Sequence, residues 1–148
     1  MGGSVRHVEV SGRAAPQVAW ERYADLDAWP TWAPQIRLAE SPGRRLAVGL
    51  TGTVRVVGGL GVPFVVTAVD PVRRTWSWIA RLGPVALTLH HDLTPLDPPD
   101  LDPSDLDEAP RDLDSAGTRA GLTLEGPALL VAAYAPLTRA PLALLVQP

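Results

Sequence analysis

His90, His91 and Asp92 stand consecutively in "VALTLHHDL", and imidazoles beside a carboxylate are residue types suited to proton transfer or metal ligation near neutral pH. If the run is a β-strand, alternate residues face opposite ways. His90 and Asp92 then share a face with Thr88, and His91 shares the other with Leu89 and Leu93. With the leucine face inward, His91 enters the interior beside Leu89 as a candidate general acid or base, and His90 pairs outside with Asp92. A satisfied core histidine is the competing role for His91. The only other histidine is His7, so a three-histidine centre would need both members of an oppositely facing pair, and no metal site is expected. Tyr134 is the second candidate for moving protons, on an apolar helix that carries its hydroxyl inward. Arg55, on a central strand, is expected on the solvent face.

Other chemistries find no support. The chain has no cysteine, which excludes disulfides, thiolate nucleophiles and cysteine metal sites. There is no Gly-x-Ser-x-Gly elbow, and "GGLG" is followed by the strand-like "VPFVV" rather than a helix, so it is not a phosphate loop. The net charge of −3 gives no basic face for nucleic acid. Between Asp97 and Asp114 eight acids face only Arg111, but the glycine spacing of a calcium loop is missing. The proline- and aspartate-rich segment 96–116 is therefore expected as a solvated hairpin extension. No cofactor is implied. The start "MGGSVRHVEV" lacks a secretory pattern, which favours the cytoplasm, and the exclusive use of arginine among 13 basic residues fits a GC-rich bacterial source.

The elements that must position these groups can be read from periodicity. At 148 residues, one domain spanning 1–148 is expected. Val5 to Val10 alternates as a strand. From Pro16, residues Val18, Ala19, Trp20, Tyr23 and Leu26 suit a short amphipathic helix, and Pro30 bends the chain or opens a second one. The runs "IRLAE", "RRLAVGL", "GTVRVV", "VPFVVTAVD", "RRTWSWIARL" and "VALTLHHDL" read as strands joined by short turns, an antiparallel meander. In "AGTRAGLTLE", Thr118, Ala120, Leu122 and Leu124 alternate with polar residues or glycine, and this strand should pair with the one ending at Leu93. The last segment, "GPALLVAAYAPLTRAPLALLVQP", reads as a helix with a stripe of Leu130, Ala133, Tyr134 and Leu137, kinked or segmented by Pro136 and Pro141. It is nearly long enough to span a bilayer, but Arg139 and the prolines favour docking on the sheet, so no membrane span is expected. Its apolar surplus from Ala128 to Val146 would also suit a homodimer contact.

This order, with "AAPQVAWERYADLDAWPTWAPQI", "VDPVRRTWSW" and "HHDLTPL" followed by "GTRA", resembles the helix-grip superfamily. That superfamily (SRPBCC) includes START-type lipid-binding domains, plant pathogenesis-related ligand binders and bacterial polyketide cyclase/dehydrase-like proteins. The resemblance implies an α+β fold, in which a curved antiparallel sheet of about seven strands wraps a C-terminal helix, with two short helices after the first strand. It also implies an apolar cavity between sheet and helix, holding a hydrophobic or aromatic small molecule. Trp29 and Trp32 would cover the open end of the sheet, and Trp76 and Trp78, two apart on one strand, would project from one face. Candidate ligand-binding residues are Trp29, Trp32, Trp76, Trp78, Leu89, His91, Leu122 and Tyr134. A cyclase or dehydratase acting through His91 or Tyr134 is the enzymatic alternative, and an interaction protein using the last helix is the third.

Overall fold

Valine, threonine and tryptophan, crowded at Cβ or ring-bearing, favour the pleated backbone, and the runs that hold them form one antiparallel sheet. The computed structural model describes residues 3–96 and 117–148, so the acidic extension expected at 96–116 lies, beyond Leu96, outside the described residues. The strands are β1 (Gly3–Gly12), β2 (Ile36–Glu40), β3 (Thr51–Val56), β4 (Gly61–Asp70), β5 (Thr75–Leu82), β6 (Val85–Pro95) and β7 (Thr118–Pro127). Their order is β1-β7-β6-β5-β4-β3-β2: a meander from β2 to β7, with β1 added beside the last strand. Register shifts between Ile36 and Leu38 and between Val66 and Ala68 bend the strands. The β3–β4 hairpin turns through Gly58 and Gly59 at φ 98° and 90°, a left-handed backbone that glycine adopts without a Cβ clash.

Alternation sets the inner face. Leu87, Leu89, His91 and Leu93 of β6 are buried, as are Thr118, Ala120, Leu122 and Leu124 of β7. "RRLAVGL" departs from expectation: it is a loop, not a strand. Its backbone bonds the first helices instead, with Leu26 N to Arg44 O at 3.0 Å and Leu46 N to Ala24 O at 2.9 Å. Leu46 and Leu50 pack on the core from that loop, so alternating apolar residues serve packing here without a ladder.

Helix α1 (Pro16–Ala24) opens on Pro16, whose missing N–H costs nothing in a first turn. It buries Ala19, Trp20, Tyr23 and Ala24 and leaves Val18 exposed. A 3-10 turn (Leu26–Ala28), capped by Asp25 Oδ1 accepting from Asp27 N at 3.0 Å, leads into α2 (Trp29–Trp32).

The last helix is segmented, as the prolines require: α3 (Ala128–Tyr134), a 3-10 turn (Ala135–Thr138) and α4 (Arg139–Leu145). By length and composition it could cross a membrane, at a mean hydropathy of 1.6. In this structure one face of it is packed against β1, β7 and α2. The buried stripe is Val131, Ala135, Thr138, Leu142 and Leu145, not the expected one. Leu137 is 66% exposed, Ala133 is exposed, and Leu130 and Tyr134 are half-buried. Arg22 of α1 holds the helix end, its Nη1 donating to Leu145 O at 2.7 Å and Gln147 O at 2.5 Å.

Candidate functional site

Between the inner face of the sheet and the last helix lies a cavity of about 260 Å³. Strands β3 and β4 contribute Val54, Val56 and Val62, and the hairpin between them adds Leu60. β5 supplies Trp78, Ala80 and Leu82, while β6 and β7 supply Leu87, Leu89, His91 and Leu122. The opposite wall is Trp32, Ala33, Gln35 and Ile36 with Tyr134, Thr138, Pro141 and Leu142 of the helix. Lining residues grade from buried Leu89, His91 and Leu122 at one end to Leu60, 63% exposed, at the other, which places the mouth at the β3–β4 hairpin. No charged side chain lines the cavity among the described residues.

His91 is the most constrained polar group. The indole of Trp78 donates from Nε1 to His91 Nε2 at 2.9 Å. An indole N–H only donates, so Nε2 is an acceptor and the proton of neutral His91 sits on Nδ1, which donates to Tyr23 Oη at 3.0 Å. Both nitrogens are thereby engaged. Burial, reinforced by His90, depresses the His91 pKa from 6.5 to about 3, so the ring is neutral at physiological pH. Trp76 stacks on it with centroids 4.5 Å apart and planes at 8°. Burial also pushes the Tyr23 hydroxyl well above its ordinary range.

Tyr134 is half-buried, and burial raises its pKa. Thr138 donates its hydroxyl to Ala135 O at 2.7 Å, the back-bond that a helical threonine often makes.

Of the residues expected at a ligand site, Trp32, Trp78, Leu89, His91, Leu122 and Tyr134 share the cavity wall. Trp29 and Trp76 do not. Trp29 is fully buried, donates to Tyr23 O at 2.9 Å and packs on Phe64, Trp76 and Trp78 at 5.7–5.8 Å, so it is core beneath the cavity rather than cover at its rim. Trp76 lies behind Trp78 and His91, and its Nε1 has no hydrogen-bond partner among the described residues. The expected His90–Asp92 pair is also replaced. His90 bonds Ser77 Oγ at 2.8 Å and Glu125 Oε2 at 2.5 Å, because Ser77 stands opposite it on β5 and Glu125 lies diagonally across on β7, whereas Asp92 is two residues along its own strand. Arg55 faces solvent and pairs with Glu40 at 2.7 Å. Sequence reasoning missed Tyr23 as the partner of His91, and Gln35 and Thr138 as lining. Tyr23 gave a signal through its place on the inward stripe of α1, but Gln35 sits in an aperiodic turn and gave none.

Known proteins with the same features agree with this geometry. A family model described as "Polyketide cyclase / dehydrase and lipid transport" matches residues 4–106. No curated protein sequence matches the chain. The crystal structure of Ara h 8.0201 is similar in fold, with a TM-score of 0.62 and 14% identity over 84% of this chain and 77% of that one. The strand order, the short helices after β1 and the C-terminal helix are those of the helix-grip fold. The family match covers most of the chain, which therefore belongs to the polyketide cyclase/dehydrase and lipid transport family of the START/SRPBCC superfamily.

Proposed function

We propose that this protein binds and carries a hydrophobic or aromatic small molecule in the cavity between sheet and helix. One observation carries the reading: a preformed apolar cavity of about 260 Å³ whose described lining contains no charged side chain. Apolar walls contribute about 25 cal/mol for each Å² of ligand surface they take from water. The volume lies just under the roughly 300–1,000 Å³ usual for drug-sized ligands, which points to a compact one. Trp32, Trp78, Leu89 and Leu122 would supply the apolar contact, with His91 at the closed end and Tyr134 on the helix side.

The cyclase or dehydratase alternative needs a group free to move a proton. His91 has both nitrogens engaged and a pKa of about 3, which argues for binding over turnover. Tyr134 is the remaining candidate. The test is titration with N-phenyl-1-naphthylamine, a neutral probe that fluoresces in apolar surroundings, alongside native mass spectrometry of freshly purified protein. Saturable binding that is lost in Val62→Phe, where a ring is placed in the cavity, supports the reading. Absence of binding, or binding indifferent to Val62→Phe, overturns it.

A further inference from the structure

Resting on the binding function proposed above, we infer that the ligand is a flat aromatic ring system, stacked on a platform that Trp78 and His91 form at the closed end and seated over Ala80. The platform follows from ring geometry. An indole N–H and an imidazole lone pair both lie in their ring planes, so the 2.9 Å bond from Trp78 Nε1 to His91 Nε2 joins the two rings edge to edge. Their planes differ by only 25° and their centroids stand 6.3 Å apart, so together they make one broad, nearly flat surface. Trp76 stacks on both, at 4.5 Å and 8° from His91 and at 5.6 Å and 18° from Trp78. It covers the same side of each ring. The opposite side is therefore the one turned to the cavity, whose wall includes Trp78 and His91 but not Trp76.

Beyond that surface the side chains shrink. Along the inner face of β5, Trp76 and Trp78 are followed by Ala80, a single methyl group between Phe64 of β4 and Leu87 of β6. Alternate residues of a strand stand about 7 Å apart, roughly two ring thicknesses. The methyl of Ala80 thus leaves a slot one ring thick beside Trp78, and Leu82 bounds its far side. A flat ring entering this slot extends the stack of Trp76 and Trp78 and gains the offset face-to-face contact that aromatic pairs favour. A puckered saturated ring is thicker and gains no such contact. The platform reads shape and π surface alone, since the Trp78 donor and both His91 nitrogens are engaged within the protein.

Isothermal titration of the full chain at pH 7 with 2-naphthol and trans-decahydro-2-naphthol tests this. The two share a carbon skeleton and a hydroxyl group, and differ in flatness and aromaticity. Wild type should bind 2-naphthol about three- to tenfold more tightly, the effect of one favourable aromatic pair. Trp78→Leu, which keeps an apolar wall without a ring, should bring 2-naphthol to the affinity of the saturated alcohol. Ala80→Leu, which fills the slot, should weaken 2-naphthol by at least about tenfold. Equal or tighter binding of the saturated alcohol, a 2-naphthol preference that survives Trp78→Leu, or 2-naphthol binding indifferent to Ala80→Leu overturns the inference while leaving cavity binding intact. If neither alcohol binds although N-phenyl-1-naphthylamine does, the inference alone falls. If none of the three binds, the underlying function falls with it. Should a variant prove unfolded by its thermal melt, the wild-type ranking decides.

Discussion

Acidification should weaken the wild-type fold more than a His91→Gln variant, and the difference reports the protonation state of the buried ring. In the unfolded chain His91 takes up its proton around 6.5, whereas in the fold burial holds it at about 3. Between those values the unfolded state binds a proton that the native state refuses, so stability is fully present above pH 6.5 and falls as the pH drops through the window. At about 1.4 kcal/mol per pH unit, and allowing for partial titration near 6.5, going from pH 7 to pH 4.5 removes about 2–3 kcal/mol. Glutamine at position 91 can accept from Trp78 Nε1 through its carbonyl and donate to Tyr23 Oη through its amide, yet does not titrate. Every group other than residue 91 is common to both proteins, so the comparison isolates the imidazole. Urea unfolding followed by tryptophan fluorescence at the two pH values gives the four free energies. A wild-type loss that matches the loss in His91→Gln would refute the buried, neutral, doubly bonded histidine.

Four further substitutions separate walls from supports. Val62→Phe should lower affinity for N-phenyl-1-naphthylamine by roughly tenfold or more while the urea midpoint stays level or rises, since the added ring enters space that is empty rather than packed. Trp29→Phe removes a buried indole and its bond to Tyr23 O, and should cost about 2–3 kcal/mol in urea unfolding. Its probe affinity should stay within about twofold, whereas Trp78→Phe should lower affinity, because only Trp78 faces the cavity. Arg22→Ala strips the end of the last helix of its cation and should cost about 1–2 kcal/mol, measured the same way.

Where a residue's role depends on its own strand alone, the sequence already contains it. Alternation turns His91, Leu89 and Leu122 inward and Arg55 outward, and the structure places them so. Roles that depend on a partner element were not legible. His90 meets Glu125, which lies 35 positions away, and nothing local to "HHDL" points past the nearer Asp92. Tyr23 meets His91 across 68 positions. The phase of the last helix was hidden for another reason. From Ala128 to Leu145 nearly every residue is apolar, so several stripes fit equally well, and the 3-10 turn at Ala135–Thr138 then rotates α4 relative to α3. Trp29 and Trp32 are the two ends of the four-residue helix α2, and their spacing cannot say that one is sealed beneath the cavity while the other lines it.

The constraint on His91 also explains how an aromatic wall keeps its shape around empty space. Trp78 could turn about its side-chain torsions to fill a cavity beside it, but its N–H is held by β6 through His91, and His91 is in turn held by α1 through Tyr23. Trp76 packs flat against the imidazole from behind. Two hydrogen bonds and a stack thus link β5, β6 and α1 at the closed end, each worth about 1 kcal/mol and all of them lost together if the ring turns. The same arrangement limits what His91 can do chemically. Protonating it at pH 7 against a pKa of about 3 costs about 5 kcal/mol, and using it as a base requires Trp78 first to release Nε2. A side chain so engaged is suited to fixing the form of a binding site rather than to moving protons.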